Sequence, residues 1–189
     1  MKQVSADVVL RDVPVRVLGD QALEDGVLRV KIVEGSLYPF QSDGVAFLLS
    51  KKRAILADDM GLGKTRQAIV AMEAGRPEGT ILVVCPASIK LNWKREILMV
   101  DDEASIEVLG VDNDHNDAPR WIIINYDILA KQKDAIKAVG FQSLIFDESH
   151  YAKTSGAQRT KALKEIAEGI PAMVLALTGT PVAAIAISA

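Results

Sequence analysis

Residues that usually form disulfides or zinc sites are scarce in this chain. It contains one cysteine and two histidines among 189 residues. A single cysteine cannot form an intrachain disulfide, and Cys85, at the end of the run Val-Val-Cys, is expected to be a buried small hydrophobe. This cysteine content favours a reducing, intracellular location. His115 has no cysteine or histidine partners at zinc-binding spacing, so we predict no structural zinc.

Long apolar runs and a strong excess of one charge are also absent. No run reaches the ~18 apolar residues of a membrane span, and charges at Lys2, Asp7 and Arg11 are unlike a signal peptide. We therefore predict no membrane association. The net charge of −3 argues against a wholly basic surface for nucleic acid but allows a local basic groove. With 49% hydrophobic and 25% charged residues, the composition is that of a globular domain with room for a small extension.

The hydrophobic pattern divides the chain near residue 36. Residues 1–35 carry short Val and Leu runs broken by Asp, Gly and Pro, which predicts a small β-rich extension. Further on, strand-like and helix-like segments alternate, which predicts an α/β domain with a mostly parallel sheet and helices on both faces. The predicted strands are 53–57, 80–85, 105–109, 121–125, 143–147 and 172–178, and the predicted helices are 41–50, 64–75, 88–99, 128–138 and 157–168. Residues 182–189 carry no charge and are expected to be a truncated tail.

A glycine-rich turn lies between the first of these strands and the helix that follows it. Residues 57–65 read Ala-Asp-Asp-Met-Gly-Leu-Gly-Lys-Thr. Glycines let the backbone N–H groups converge on phosphate oxygens, Lys64 would reach the β- and γ-phosphates, and the Thr65 hydroxyl would bind Mg²⁺. Asp58 stands where the general phosphate-loop pattern has glycine. The alternative is a surface turn that happens to contain Gly-Leu-Gly-Lys-Thr.

Two acids follow the apolar strand at 143–146. Asp147 at the end of such a strand could lie beside the phosphate loop and hold Mg²⁺, while Glu148 could orient and deprotonate the attacking water. The alternative is a strand that leaves the core into an acidic turn. The strand at 173–177 likewise ends in Thr178 and Thr180, which are interpreted either as a relay from the acids to a second ligand or as a simple Gly-Thr-Pro stop.

Together, these segments resemble the first motor lobe of helicase superfamily two, and within it the Swi/Snf-type DNA-dependent ATPases and translocases. That family's phosphate loop has the form Asp-Asp-Met-Gly-Leu-Gly-Lys-Thr, which accounts for Asp58. Residues 147–150, Asp-Glu-Ser-His, are similar to its Asp-Glu-x-His box, with serine where alanine or glycine is more usual. Residues 177–181, Leu-Thr-Gly-Thr-Pro, resemble its third motif.

Three further motifs extend the resemblance, which covers residues 36–181. Residues 83–88 with Asn92, Trp93 and Glu96 resemble motif Ia, and the Asn-Tyr pair at 125–126 stands where motif Ib is expected. Trp93 itself is expected to be a core or lobe-surface aromatic, and the alternative is a residue that stacks on a base. Residues 38–45 resemble the Q motif, in which Gln41 would hydrogen-bond the adenine edge beside an aromatic side chain. Within the family, the annealing-helicase (HARP-like) subgroup is the most similar.

The resemblance implies a RecA-like P-loop NTPase lobe that uses ATP and Mg²⁺ and acts on double-stranded or forked DNA. The implied ATP-binding residues are Gln41, Asp59, Met60, Gly61, Leu62, Gly63, Lys64 and Thr65. The implied catalytic residues are Lys64, Asp147 and Glu148; Thr65 and Asp147 would hold Mg²⁺, and His150, Thr178 and Thr180 would couple the ATP site to DNA. The candidate DNA contacts are Ser88, Lys90, Asn92, Lys153 and Arg159, together with Lys94, Arg95, Thr160 and Lys161, and the alternative for each is a solvated helix face.

The chain departs from the family pattern after Pro181. The family usually continues with an Asn-Arg or Asn-x-x-Glu run, whereas here Val182-Ala-Ala-Ile-Ala follows and the second lobe with its arginine fingers is missing. Because an arginine finger contributes about 10³–10⁵ in rate in related enzymes, we expect weak ATP binding and very slow hydrolysis unless a second chain supplies lobe two. The alternative is a non-enzymatic one-lobe module that binds DNA, nucleotide or a partner and regulates something else.

Overall fold

A computed structural model describes residues 37–51, 53–75, 78–111, 119–148, 158–170 and 172–179. The predicted extension at 1–35 and the predicted tail at 182–189 lie outside these ranges. In chain order, the elements are α1 (Pro39–Leu49), β1 (Arg53–Leu56), α2 (Lys64–Gly75), β2 (Ile81–Cys85), a 3₁₀ turn (Ala87–Ile89), α3 (Lys90–Val100), β3 (Ile106–Val108), β4 (Trp121–Asn125), α4 (Tyr126–Lys131), α5 (Lys133–Ala138), β5 (Ser143–Phe146), α6 (Gln158–Glu168) and β6 (Met173–Leu177).

The six strands form one parallel sheet in the order β1-β6-β5-β2-β4-β3. Strand β2 lies in the middle, in register with β4 from Ile81↔Trp121 onward and with β5 from Ile81↔Ser143 onward. All residues of β2, β4 and β5 are buried, as expected for strands covered on both faces. The predicted α/β fold with a mostly parallel sheet is therefore confirmed.

Helices cover both faces of the sheet. Alternate residues of β2 point to opposite sides: Ile81, Val83 and Cys85 belong to the core under α1, α2 and α3, whereas Leu82 and Val84 belong to the core under α4, α5 and α6. Cys85 is fully buried, as predicted. Burial and the neighbouring carboxylate of Asp147 raise the pKa of its thiol to about 12.

The observed helices differ from the predicted ones at three places. The helix predicted at 88–99 is a 3₁₀ turn at 87–89 followed by α3, which begins at Lys90. Helix α1 begins at Pro39, two residues before the predicted start, because proline suits the first helical turn and the Gln41 side chain accepts the Tyr38 N–H at 2.9 Å. The single helix predicted at 128–138 is wrong: α4 and α5 are separated at Gln132, whose φ of −116° and ψ of 23° lie outside the helical region. None of the helices in the described ranges has the length and apolar character needed to cross a bilayer.

Candidate nucleotide-binding site

The carboxyl ends of neighbouring strands bring the predicted site residues to one edge of the sheet. Strands β1 and β6 are paired up to Leu56↔Leu177, and β6 and β5 up to Phe146↔Ala176. The phosphate loop after β1, Thr178 after β6 and Asp147 after β5 therefore emerge at the same level. This edge is where ligands bind in parallel α/β sheets.

The loop between β1 and α2 has the backbone geometry of an anion cradle. Gly61 and Gly63 have φ values of 84° and 72°, a left-handed conformation that glycine adopts without strain. Helix α2 begins at Lys64, so its first N–H groups point toward the loop. Gln67 N–H donates to the Gly63 carbonyl at 3.1 Å and continues the helix.

The Lys64 ammonium lies folded against its own loop. Its Nζ donates to the backbone oxygens of Asp58 at 2.7 Å and Asp59 at 2.8 Å. This places a positive charge at the centre of the cradle, and Thr65 follows in the first turn of α2. A phosphate group bound here would share or replace the two carbonyl acceptors.

Asp58, the residue that departs from the general phosphate-loop pattern, ties the loop to α2. Its Oδ2 accepts from Gln67 Nε2 at 3.2 Å, and the same nitrogen lies 3.3 Å from the Leu62 oxygen. Gln67 is fully buried, and a side chain at Gly44 would collide with its Oε1. The Asp58 side chain therefore holds the loop against α2 through Gln67. The backbone at Asp58 does not have a positive φ, so glycine is not required at this position.

Gln41 connects the start of α1 to the phosphate loop. Its Nε2 donates to the Leu62 oxygen at 3.0 Å, while its Oε1 accepts the Tyr38 N–H. A side chain at Gly63 would collide with Nε2, so this glycine is required both by its φ and by the approach of Gln41. The structure thus places Gln41 next to the loop, and its contact with adenine stays a prediction.

A cleft of about 730 Å³ opens between α1 and the phosphate loop. The Tyr38 and Phe40 rings are stacked at the start of α1, with centroids 5.8 Å apart and planes 5° from parallel. Aromatic and apolar side chains in the lining of this cleft suit a flat ligand such as a nucleobase. The cleft is lined by Phe40, Asp43, Gly44, Phe47, Ile55, Leu56, Ala57, Asp58 and Leu62.

Asp147 is held by hydrogen bonds from three directions. Its Oδ2 accepts from the Trp93 indole at 3.0 Å and its Oδ1 from the Glu148 N–H at 2.8 Å, while its backbone oxygen accepts from the Tyr126 hydroxyl at 2.6 Å. Burial raises the pKa of the Asp147 carboxyl, and the two hydrogen bonds to its oxygens and the Lys64 ammonium act in the opposite direction. Because β1, β6 and β5 are neighbours in the sheet, Asp147 emerges at the same edge as the phosphate loop, and the two halves of the predicted site lie at that edge.

Glu148 has a backbone conformation that is rare outside glycine. Its φ is +52°, and no other described non-glycine residue has a positive φ. Such a conformation costs of order 1–3 kcal/mol and persists where the surrounding structure enforces it. Here the strain lies at the residue predicted to handle the attacking water.

Oxygen ligands at this edge suit magnesium. Among the described residues, no group of three or more His, Cys, Asp or Glu side chains forms a metal cage. Magnesium typically binds through one or two protein oxygens and keeps several waters, so the Thr65 hydroxyl and the Asp147 carboxylate fit it.

Thr178 links the end of β6 to the start of the phosphate loop. It is buried, and its N–H donates to the Leu56 oxygen at 3.1 Å. A side chain at Gly179 would lie 2.8 Å from Met60 Cγ, so this turn packs directly against the loop. The other two predicted coupling residues, His150 and Thr180, lie outside the described residues.

The predicted DNA contacts separate into exposed and buried residues. Ser88, Asn92, Arg95 and Lys161 are exposed. Arg95 donates to Asn92 Oδ1 at 2.6 Å. Lys90 is different: its side chain is buried and its Nζ donates to the Leu109 oxygen at 2.8 Å. In this conformation Lys90 is a structural residue, and we remove it from the proposed DNA surface.

The other candidates are less fully described. Lys94 is half-buried on α3. Arg159 and Thr160 lie on α6, with side chains outside the described part, and Lys153 lies outside it altogether.

The site also depends on residues that sequence reasoning did not assign to it. Gln67 braces the loop and Tyr126 fixes the Asp147 backbone, while Arg66 donates from Nε and Nη2 to Glu96 Oε2 at 3.0 and 2.7 Å and joins α2 to α3. The sequence signals were the Asn-Tyr pair at 125–126, which stands where motif Ib is expected, and the spacing of Trp93 and Glu96, which places both on one side of a helix. Their partners lie too far away along the chain for local patterns to reveal.

Residues 40–185, more than half of the chain, match the SNF2-related domain family. The chain belongs to this family. The Swi/Snf-type resemblance and the RecA-like fold expected from the sequence are therefore confirmed. One solved structure similar to this SNF2-related domain is the Sulfolobus solfataricus SWI2/SNF2 ATPase core in complex with dsDNA, with a TM-score of 0.70 and 27% identity over 82% of this chain and 34% of that one.

Curated relatives of this SNF2-related domain are much longer proteins. The SWI/SNF-related matrix-associated actin-dependent regulator of chromatin subfamily A-like protein 1 of Xenopus laevis is 39% identical over 151 residues, which cover 78% of this chain and 16% of the relative. The DNA annealing helicase and endonuclease ZRANB3 of Homo sapiens is 35% identical over 159 residues, which cover 79% of this chain and 15% of the relative. This chain therefore spans about a sixth of the length of these relatives.

Proposed function

We propose that this chain is the ATP-binding first motor lobe of a double-stranded-DNA translocase. The observation that carries the proposal is the junction at one edge of the parallel sheet, where the Lys64 loop follows β1 and the buried Asp147 carboxylate follows β5. Family membership supports it, because the match includes both halves of the junction.

Each side chain at the junction has a distinct role in this proposal. The loop N–H groups and the Lys64 ammonium bind the β- and γ-phosphates, and the Thr65 hydroxyl and Asp147 hold Mg²⁺. When bound, Mg²⁺ neutralises the charge that develops on the phosphate oxygens. Glu148 orients the attacking water and takes its proton.

The nucleobase end of the nucleotide would lie at the cleft beside α1. Gln41 contacts both the loop and the start of α1, so a base that changes the position of the Gln41 side chain would also change its contact with the phosphate loop. Phe40 and Phe47, both partly exposed, provide apolar surface for a base. A bound adenine would exchange one of the two internal hydrogen bonds of the Gln41 amide for a contact with its own edge.

DNA, double-stranded or forked, would contact the surface that carries Ser88 and Asn92, and Lys153 and Arg159 remain predicted contacts. The similar SWI2/SNF2 ATPase core, solved in complex with dsDNA, supports this partner class. Hydroxyl, amide and basic side chains suit contacts to the DNA backbone without base readout. Thr178, Thr180 and His150 would couple this surface to the ATP site. The chromatin regulators among the relatives support an intracellular location.

We further propose that the lobe alone hydrolyses ATP slowly and needs a second lobe, in the same protein or another chain, for full activity. In related phosphoryl-transfer enzymes an arginine finger supplied from outside the first site contributes about 10³–10⁵ in rate. Lys64 supplies a positive charge at the phosphate loop. An arginine from a second lobe would add positive charge at the γ-phosphate, where negative charge develops during the transfer.

The test measures nucleotide affinity and DNA-stimulated ATP hydrolysis of the chain, with and without an added second lobe. Lys64→Ala should abolish both activities, and Lys131→Ala, which removes an exposed lysine of α4, should change neither. If Lys64→Ala left nucleotide binding intact and DNA never stimulated hydrolysis, the proposal would be wrong. Retained DNA or partner binding in that case would instead support the non-enzymatic regulatory module.

A further inference from the structure

The buried indole of Trp93 connects helix α3 to the carboxylate that the proposed function assigns to Mg²⁺. Trp93 is fully buried, and its Nε1 donates to Asp147 Oδ2 at 3.0 Å. The other carboxylate oxygen accepts the Glu148 N–H at 2.8 Å. Because each oxygen is held by a different donor, the two bonds together fix the rotation of the carboxylate and leave its remaining lone pairs for other partners.

A second contact ties the same face of α3 to the phosphate-loop helix. Glu96 lies three residues after Trp93 and therefore on the same side of α3. Its Oε2 accepts from Arg66 Nη2 at 2.7 Å, and Arg66 follows Lys64 by two residues. One face of α3 thus contacts both halves of the ATP site.

Exposed residues next to this face belong to the proposed DNA surface. Asn92 directly precedes Trp93, Ser88 lies in the short turn before α3, and both are exposed. A rigid displacement of α3 by bound DNA would carry the indole with it. Since N–H···O hydrogen bonds have donor–acceptor distances of about 2.7–3.2 Å, a displacement of roughly 0.5 Å from the present 3.0 Å is sufficient to loosen the contact with Asp147.

We propose that Trp93 is a positioning residue that orients the Asp147 carboxylate toward Mg²⁺ and makes this orientation depend on the position of α3. The inference rests on the proposed function, because it assumes that Asp147 holds the metal and that the Asn92 surface binds DNA. It adds a direct structural route between those two activities through a single hydrogen bond.

The first test compares two matched tryptophan variants. Trp121 is also fully buried, and its indole donates to Glu73 Oε1 at 3.0 Å, a partner outside the site. A fluorescent ATP analogue is titrated onto each chain in EDTA and across a Mg²⁺ series. In Trp93→Phe, the Mg²⁺ concentration that gives half of the full increase in affinity for the analogue should rise about 10-fold, because loss of a hydrogen-bond partner of a metal ligand weakens metal binding by about this factor. The affinity for the analogue in EDTA should not change. Trp121→Phe should match the wild type in both, and equal Mg²⁺ dependence of the two variants overturns the proposal.

The second test needs no change at Trp93. In the Trp121→Phe chain, Trp93 is the single remaining tryptophan, so its indole N–H gives one resonance in a ¹⁵N-labelled sample. That resonance should move when magnesium and ADP are added together and again when duplex DNA binds. A resonance unmoved by DNA, under conditions where fluorescence anisotropy shows the DNA bound, would overturn the link through α3. This second test can be carried out even if the Trp93→Phe chain does not fold.

Failure of this inference is distinguishable from failure of the proposed function. Nucleotide binding that is lost in Lys64→Ala, combined with an unaltered Mg²⁺ dependence in Trp93→Phe, overturns the role of Trp93 alone. Equal nucleotide binding by the wild type and Lys64→Ala overturns the proposed function, and the role of Trp93 with it.

Discussion

Replacing Asp58 by glycine would restore the general phosphate-loop pattern, and we expect it to destabilise this protein. The substitution removes the acceptor that Gln67 Nε2 contacts at 3.2 Å and leaves that fully buried amide with the Leu62 oxygen at 3.3 Å. Losing a hydrogen bond to a charged, half-buried acceptor costs about 1–2 kcal/mol. The added backbone freedom of glycine costs roughly 0.5–1 kcal/mol more.

The expected loss in the free energy of unfolding is therefore about 2 kcal/mol, which corresponds to a fall in Tm of roughly 4–8 °C for a chain of this size. Thermal and urea unfolding followed by circular dichroism measure both quantities. Asp58→Asn, which keeps an oxygen acceptor at the same place, should lose less than half as much. A double-mutant cycle with Gln67→Met should give a coupling energy of about 1 kcal/mol. The reasoning is refuted if Asp58→Gly is as stable as the wild type, or if Asp58→Asn is equally damaging.

Three further predictions concern a glycine of the phosphate loop, the buried thiol and the buried lysine. Gly63→Ala should abolish nucleotide binding and lower the free energy of unfolding by more than about 2 kcal/mol, because alanine there has a left-handed φ and collides with Gln41. Gly140 has a similar φ but open space around it, so Gly140→Ala should lower the free energy of unfolding, measured in urea, by only about 1 kcal/mol. The pKa of the Cys85 thiol is raised from 9.0 to about 12, so its contribution to stability is present below pH 9 and is lost as the pH rises toward 12. Between pH 9 and 12 the wild type should therefore lose stability relative to Cys85→Val. Stabilities that vary with pH in the same way in the two chains would contradict this. Lys90→Met should lower Tm without changing the salt dependence of DNA binding, because its buried amine contacts a backbone oxygen, and a flatter salt slope would return it to the DNA surface.

Patterns in neighbouring residues predicted most of the fold and the two main parts of the site. The strands at 53–57, 80–85, 121–125 and 143–147 correspond to β1, β2, β4 and β5 within one residue at either end. Apolar runs of this kind are buried on both faces of a parallel sheet, so their position is readable without knowing their neighbours. The same holds for the glycine turn, whose two positive φ values occur at the predicted glycines.

Misjudged residues were those whose environment is created by distant segments. Lysine is usually a surface residue, yet the turn after β3 brings the Leu109 oxygen to the Lys90 amine, and the Lys90 side chain is buried. Gln132 interrupts an otherwise continuous helical pattern, and the helices on either side of it each contribute to the second core, through Leu129 and Ile136. Neither outcome has a signal in the adjacent residues.

The sequence by itself determined which residues form the phosphate loop and which acids follow the fifth strand, since each group is a short contiguous run whose backbone preferences are local. Only the tertiary structure decided how the two runs are joined. Trp93 and Asp147 are 54 positions apart in the chain, and their contact exists because β2 and β5 are paired in parallel register with α3 packed over them. Hydrogen bonds of this kind depend on the packing of whole elements to within a fraction of an ångström, which no local pattern of residues specifies.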